Sequence, residues 1–299
     1  MTLKNTPRIA FIGFGEAGQA IASGLRVEGV TEIAAWDILF PKPEGEKLKA
    51  AGAKAGVRLT TSAAEAINGS DIIISAVTAA SSLEAAQSVI PHLIGNPYYL
   101  DINSVSPGRK IATAALLDGK ARYVDIAVIA PIHPKRHQTP LLLAGPHAET
   151  IAPLLTEMAM QIKVVSDETG KAAAIKMIRS VMIKGIEALT YECFLAAERA
   201  DLLEDVTASL KNNYPGIDWK ETTTYNLERM ASHGERRAAE MEESAATLRE
   251  LGLDPLMTEG TVAHQREMGR LGKAESVRST LDKDRAEILA AIEKSKFSA

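Results

Sequence analysis

The chain has 299 residues, 46% of them hydrophobic and 24% charged, and a formal net charge of −4. That make-up is ordinary for a folded globular protein, and it excludes the basic footprint of a nucleic-acid binder or an anionic-membrane binder. No apolar run reaches the roughly 18–20 residues that span a bilayer. The apolar stretch 9–14 runs straight into glycines, unlike a secretory leader. The single cysteine, Cys193, cannot form an intrachain disulfide, so a cytoplasmic location is the expectation. The length suggests two domains.

Along the chain, two textures meet near residue 166. Before it, short β-branched runs at 8–12, 32–36, 71–77, 98–102, 122–129, 141–144 and 162–165 read as strands. Helical stretches at 18–27, 44–51, 81–93, 107–117 and 147–160 lie between them. Strands alternating with helices indicate βαβ units and a doubly wound, mostly parallel Rossmann sheet. Runs such as Ile72-Ile73-Ile74 are apolar on both faces, as a sheet covered on both sides requires. After residue 166 the pattern is helical: 171–201, 204–212, 219–234, 235–251, and from 258 onward. The expected division is a dinucleotide-binding domain at 1–166 and an all-α substrate and dimerisation domain at 167–299. Residues 171–201 are apolar nearly all round, which predicts a helix buried in its domain or between subunits. Residues 294–299 are expected to fray.

The clearest motif is Gly13-Phe14-Gly15-Glu16-Ala17-Gly18, directly after the first strand and opening a helix. Gly13 permits the tight turn, Gly15 lets backbone approach a pyrophosphate, and Gly18 allows helix to pack on strand. The helix start then offers free N–H groups and a partial positive charge to phosphates. Asp37 ends the second strand nineteen residues past Gly18, where a carboxylate accepts hydrogen bonds from the adenosine ribose and repels a 2′-phosphate. The expected cofactor is NAD in preference to NADP, with Lys42 close enough to bear on the choice.

Three further segments follow in order. They are Asp101-Ile102-Asn103-Ser104-Val105-Ser106-Pro107, then Asp125-Ile126-Ala127-Val128-Ile129-Ala130-Pro131, then Gly170 to Ser180 with Lys176 inside it. Together with the glycine loop they resemble the β-hydroxyacid dehydrogenase family, which includes 6-phosphogluconate and 3-hydroxyisobutyrate dehydrogenases. The similarity in motif order covers residues 8–200 and is greatest to a phosphogluconate-dehydrogenase-like branch with its own helical C-terminal domain. The resemblance implies that Lys176 is the catalytic acid/base and that Asn103 and Ser104 face the nicotinamide and the substrate. It also puts Ala130 and Pro131 in the substrate loop. There the family has Ser-Gly-Gly and this chain has Ala130-Pro131-Ile132. Arg179 and Ser180 stand where the family has two asparagines. The substrate contacts are thus rewritten, and neither phosphogluconate nor hydroxyisobutyrate is transferred as substrate.

Oxidising a secondary alcohol requires a group that takes the hydroxyl proton as the hydride leaves. A lysine does so when desolvation and a like charge bring its pKa down from about 10.4. The apolar helix and Arg179, three residues on, would act in that direction on Lys176, and Arg179 would also clamp a substrate carboxylate. Val77 and Thr78, after the fourth strand, are placed at the cofactor ribose. In the segment 133–137, Arg136 or His137 could replace the missing serine, although a solvated loop is the simpler reading. A metal site at His133 and His137 is not expected, because Pro134 interrupts the helix such a pair needs. In the helical half, His233 is a candidate substrate contact, while Arg236 and Glu240 read as a solvated i, i+4 pair. Trp219 and Tyr225 read as core or dimer packing, and Cys193 as an inert core thiol. The leading expectation is an NAD-preferring dehydrogenase of a small hydroxy acid, by resemblance a 3-hydroxy acid, acting as a homodimer. The alternatives are an imine or ketone reductase on the same fold and a non-catalytic dinucleotide-binding sensor.

Overall fold

A computed structural model describes residues 6–297. The first half holds β1 (Ile9–Ile12), α1 (Glu16–Val27), β2 (Ile33–Trp36), α2 (Glu46–Lys54), β3 (Arg58–Leu59), α3 (Ala63–Ile67) and β4 (Ile72–Ser75). It continues with α4 (Ser82–Val89), β5 (Tyr98–Asp101), α5 (Pro107–Leu117), β6 (Arg122–Val128), β7 (Leu141–Ala144), α6 (Ala148–Glu157) and β8 (Ile162–Ser166). The helices α7 (Lys171–Arg199), α8 (Leu203–Asn213), α9 (Trp219–Glu250), α10 (Leu256–Leu271), α11 (Glu275–Arg278) and α12 (Arg285–Phe297) follow. The chain divides into two compact units between Lys176 and Met177, inside α7. Among the described residues no helix is long and apolar enough to cross a membrane.

In the first unit the eight strands form one sheet in the order β3-β2-β1-β4-β5-β6-β7-β8. The pairs are parallel except β6 with β7. The period-two alternation of strand side chains sends Ile9, Phe11, Ile72, Ile74 and Leu100 to one core. Ala10, Ile12, Ile73 and Tyr99 go to a second core. Helices therefore cover both faces, which is why these strands read as continuous apolar runs. The neighbours β1 and β4 start connections that run in opposite directions. The crevice at their carboxyl ends is the topological switch point where such sheets take ligands. The short β3 carries one exposed and one half-buried side chain, and it lacks the apolar run that would have marked it in the sequence.

In the second unit, Tyr191, Phe194, Leu227, Met230, Met268 and Ile288 centre the main core. Residues 219–250 are a single helix rather than the two expected. Gly234 does not break it. A Cβ there would sit 2.2 Å from the Gln265 carbonyl oxygen and 2.6 Å from the Gly269 nitrogen, so the glycine lets α9 and α10 touch backbone to backbone. Residues 294–297, expected to fray, belong to α12.

Within one chain, helix α7 is covered on one side only. Ile175, Ile178, Met182, Ile183, Ile186 and Leu189 are all exposed, between 42% and 65%. Their spacing of three and four lines them along one side of the helix. The polar Ser180, Lys184, Glu187 and Thr190 are buried instead. Cys193 is exposed rather than a core thiol, and Tyr225 is exposed as well. Trp219 packs against Phe194 and Tyr214.

Candidate active site

The glycine loop leaves β1 with Gly13 at φ +88°, a left-handed turn that a side chain would strain. A Cβ on Gly13 would also lie 2.4 Å from the Ala76 carbonyl oxygen, and one on Gly18 2.8 Å from the Gly13 carbonyl oxygen. Gly15 differs. A Cβ there meets nothing within 4 Å, so the loop keeps open space beside its backbone. Gly15 is also the residue before α1, and no side chain caps that helix. Its first-turn N–H groups and partial positive charge are thus available to an anion. The residues present therefore fit a dinucleotide pyrophosphate.

Phe14 contributes backbone only. Its ring is fully buried and meets Phe11 and Phe40 edge-on at 6.3 and 6.2 Å. Glu16 is exposed and Ala17 half-buried at the helix start. Asp37 ties the loop to the end of β2: Oδ2 accepts the Phe14 N–H at 2.7 Å, and Oδ1 accepts the Leu39 N–H at 2.9 Å. Each oxygen keeps a second lone pair. Asn103 makes a similar clip across the crevice. Its Oδ1 accepts the Val77 N–H at 2.8 Å and its Nδ2 donates to Ser75 Oγ at 2.9 Å, which joins the ends of β4 and β5. Val77 is half-buried and Thr78 exposed beside it.

Ser104 and Lys176, seventy-two residues apart in sequence, meet directly. Lys176 Nζ donates to Ser104 Oγ at 2.6 Å. Lys176 is half-buried, not sealed in an apolar interior. Ser106 caps α5 by accepting the Arg109 N–H at 3.4 Å, which leaves Ser104 clear of that task.

Beneath this contact lies a buried charged group that sequence reading missed. Asp101 and Asp125 face each other in register on β5 and β6, and both are fully buried. Lys110 from α5, also fully buried, places Nζ 3.0 Å from Asp101 Oδ1 and 3.5 Å from Asp125 Oδ1. It also donates to the Asp101 carbonyl at 2.6 Å, and Tyr123 donates its hydroxyl to Asp101 Oδ2 at 2.8 Å. Asp125 Oδ2 accepts the N–H groups of Gly170 and Ala173, both at 3.1 Å, and so caps α7 from a neighbouring strand. Burial pushes the Asp125 carboxyl above its ordinary value, against the pull of Lys110 and of the Ala173 N–H. The same burial, with Asp101 nearby, pushes the Tyr123 hydroxyl well up.

The remaining candidates lie elsewhere. Ala130 and Pro131 are exposed after β6. The loop 133–137 is not simply solvated. His137 is buried, and a Cβ on Gly24 would come within 2.0 Å of its Nδ1, so the ring packs on the bare backbone of α1. Its Nε2 lies 3.3 Å from Glu28 Oε1, while burial holds its pKa below the usual value. His137 is thus a packing residue of α1, whereas His133 is exposed. In the second unit Arg179 is exposed on α7. Ser180 is buried and accepts from Lys184 Nζ at 3.4 Å. His233 is half-buried on α9, and Glu240, half-buried rather than on a solvated face, pairs with the exposed Arg236 at 3.4 Å and with the buried Lys184 at 3.0 Å. Among the described residues, no group of three or more His, Cys, Asp or Glu is arranged to hold a metal ion.

Residues 8–103 match the family model described as NADP oxidoreductase, coenzyme F420-dependent, and residues 197–268 match a domain of unknown function, DUF1932. A conserved hypothetical protein from Sinorhizobium meliloti 1021 is 34% identical, aligned over 98% of this chain and 97% of that one, with a TM-score of 0.78. The conserved protein MTH1747, whose structure is described as similar to 3-hydroxyacid dehydrogenases, is 31% identical over 89% of this chain and 99% of its own, with a TM-score of 0.70. The chain belongs to the β-hydroxyacid dehydrogenase family. It has the NAD(P)-binding Rossmann unit of an oxidoreductase of that family. The fold alone is shared with Mycobacterium tuberculosis 3-hydroxyisobutyrate dehydrogenase, at 16% identity over 98% of this chain and 100% of that one, with a TM-score of 0.71.

Proposed function

We propose that the chain oxidises a small 3-hydroxy acid with NAD in preference to NADP, and that Lys176 is its general acid/base. The observation that supports this reading best is the contact of Lys176 Nζ with Ser104 Oγ at 2.6 Å, at the carboxyl end of β5. As general acid/base, Lys176 takes the proton of a substrate hydroxyl as the hydride leaves, with its Nζ oriented by Ser104 Oγ. When bound, the nicotinamide supplies the hydride acceptor. Gly15, Glu16, Ala17 and Gly18 hold the pyrophosphate through backbone N–H groups, while Gly13 and Phe14, whose N–H groups bond Trp36 and Asp37, shape the turn; Val77, Thr78 and Asn103 border the nicotinamide side. The Asp37 carboxylate takes the ribose hydroxyls on its remaining lone pairs and repels a 2′-phosphate, which favours NAD.

Substrate recognition falls to Ser104, to Ala130 and Pro131 in place of the family's serine-glycine loop, and to residues beyond Lys176. Arg179 follows Lys176 by three residues on the same helix and suits a carboxylate. Ser180 and His233 are the other candidates in the helical domain 167–299. The apolar stripe of α7, from Ile175 to Leu189, supports a homodimer, because a row of this length left in water is costly. Light scattering should then give twice the chain mass at micromolar concentration, and a stable monomer would rule the dimer out.

The deciding experiment is a paired turnover screen of the wild type and Lys176→Ala over 2- and 3-hydroxy acids, following NADH formation, with dinucleotide binding measured separately. Loss of a general base lowers kcat by about 10²–10⁴-fold, while NAD affinity stays within a factor of about two. Normal turnover by the variant would remove Lys176 from the mechanism. NADH-dependent reduction of imines without any oxidation of hydroxy acids would favour the reductase reading instead.

A further inference from the structure

The ring of contacts around Lys110 joins the two chain segments that meet at Lys176. On one side, the Asp101 carboxylate accepts the Asn103 N–H at 2.9 Å, and Ser104 is the next residue. On the other side, the Asp125 carboxylate holds the Gly170 and Ala173 N–H groups, and Lys176 lies one helical turn further along α7. Lys110 sits between the two carboxylates. Two buried carboxylates side by side repel each other, and in a low-dielectric site one takes up a proton unless a cation is supplied.

We infer that Lys110 is a positioning residue for the reaction. By keeping Asp125 ionised it fixes the first turn of α7, and so sets the Lys176 amine against Ser104. This inference rests on the assignment of Lys176 as acid/base, but the arrangement it describes can be tested without turnover. The groups that face Asp125 are Asp101 on β5, Lys110 on α5, Tyr123 two residues earlier on β6, and the α7 backbone N–H groups. Its strand partner on β7 is the apolar Ala144. Without the ammonium, the burial that already raises Asp125 is opposed only by backbone N–H groups. The carboxyl then protonates at higher pH, and one of its two helix contacts weakens.

The test compares wild type, Lys110→Met and Asp125→Asn by limited acetylation with acetic anhydride, read by mass spectrometry. Lys176 labelling is referred to the exposed Lys163 on β8. In Lys110→Met, Lys176 should acetylate several-fold faster relative to Lys163 as its amine leaves Ser104. On any hydroxy acid the wild type turns over, kcat should fall by about a hundredfold, the size of effect a displacement of about 1 Å produces, with a much smaller change in KM. Its kcat–pH profile should gain a second acidic limb beside the one that a general base gives the wild type, with activity recovering as pH rises and Asp125 ionises. Asp125→Asn should show the faster labelling without the new limb, and it decides the matter if Lys110→Met does not fold. Labelling and pH profiles parallel to wild type in the folded variants would overturn the inference, even with stability lowered. Faster labelling in a protein that oxidises no hydroxy acid would uphold the positioning and refute the proposed reaction.

Discussion

Each unit buries a charged network, and the two are built differently. In the sheet, Lys110 lies between Asp101 and Asp125, and the carboxylates also take backbone N–H groups from Asn103, Gly170 and Ala173. In the helical unit, Arg237 Nη2 donates to both oxygens of Glu187, and Gln265 Nε2 adds a bond to Glu187 Oε2 at 2.8 Å. The neighbouring Lys184 pairs with Glu240 at 3.0 Å. Here the ion pair links side chains of α7, α9 and α10; among the described residues Arg237 Nε and Gln265 Oε1 lack hydrogen-bond partners, as Asp125 Oδ1 does in the sheet. A carboxylate that holds backbone fixes where a chain segment begins. One that holds only side chains fixes which helix faces meet. By this difference the first network bears on Lys176 and the second on the packing of a bundle.

The largest effect expected from breaking that comparison is on stability. Glu187→Ala leaves the Arg237 guanidinium buried without its carboxylate, a loss of about 3–5 kcal/mol. Thermal unfolding should show Tm lower by roughly 10 °C for a domain of this size. Replacing both partners with apolar residues, Glu187→Leu with Arg237→Met, should recover most of that loss, since a well-packed apolar pair substitutes for a buried ion pair. Neither change should alter the acetylation of Lys176 relative to Lys163. If it does, the two networks are coupled and the contrast between them fails.

Much of the first unit is legible in the sequence because its rules are local. The doubly apolar strands, the glycine loop with its following helix, and the serine before Pro107 each announce themselves within a few residues. The meeting of Ser104 with Lys176 came from motif order, since spacing alone cannot bring together residues seventy-two apart. Lys110 escaped notice because a lysine in the first turns of a helix reads as solvated, and its burial depends on two strands that pair elsewhere. Helix α7 is half legible for the converse reason. Its apolar residues read as buried in the domain or between subunits, but the sequence does not show that within one chain Lys184 and Glu187 face inward, because α9 and α10 bring Glu240, Arg237 and Gln265 to meet them. No period in a single helix reveals that its partners supply opposite charges.

Glycines sharpen the comparison with smaller effects, because the same residue type serves different ends in the two units. Gly234 stands where α9 and α10 approach, and an added Cβ would collide with the Gln265 carbonyl and the Gly269 backbone. Neither neighbour is the end of a flexible side chain, so the helices themselves must separate. Gly234→Ala should therefore cost about 1–3 kcal/mol in urea unfolding, as overpacking does. The intrinsic helix preference of alanine over glycine, about 1 kcal/mol, offsets part of that loss. Gly15 occupies open space, and its φ of −72° is one an alanine adopts freely. Gly15→Ala should leave the unfolding midpoint unchanged. Its methyl enters the space beside the uncapped start of α1, so dinucleotide affinity should drop, by about tenfold for the loss of roughly 1.4 kcal/mol of phosphate contact. Calorimetric titration with NAD checks the second half of this pair. If Gly15→Ala binds NAD like wild type, the open space beside the loop is not where the pyrophosphate lies. If Gly234→Ala is as stable as wild type, the close approach of α9 and α10 relaxes at no cost, and the glycine there serves only to keep the two helices near each other.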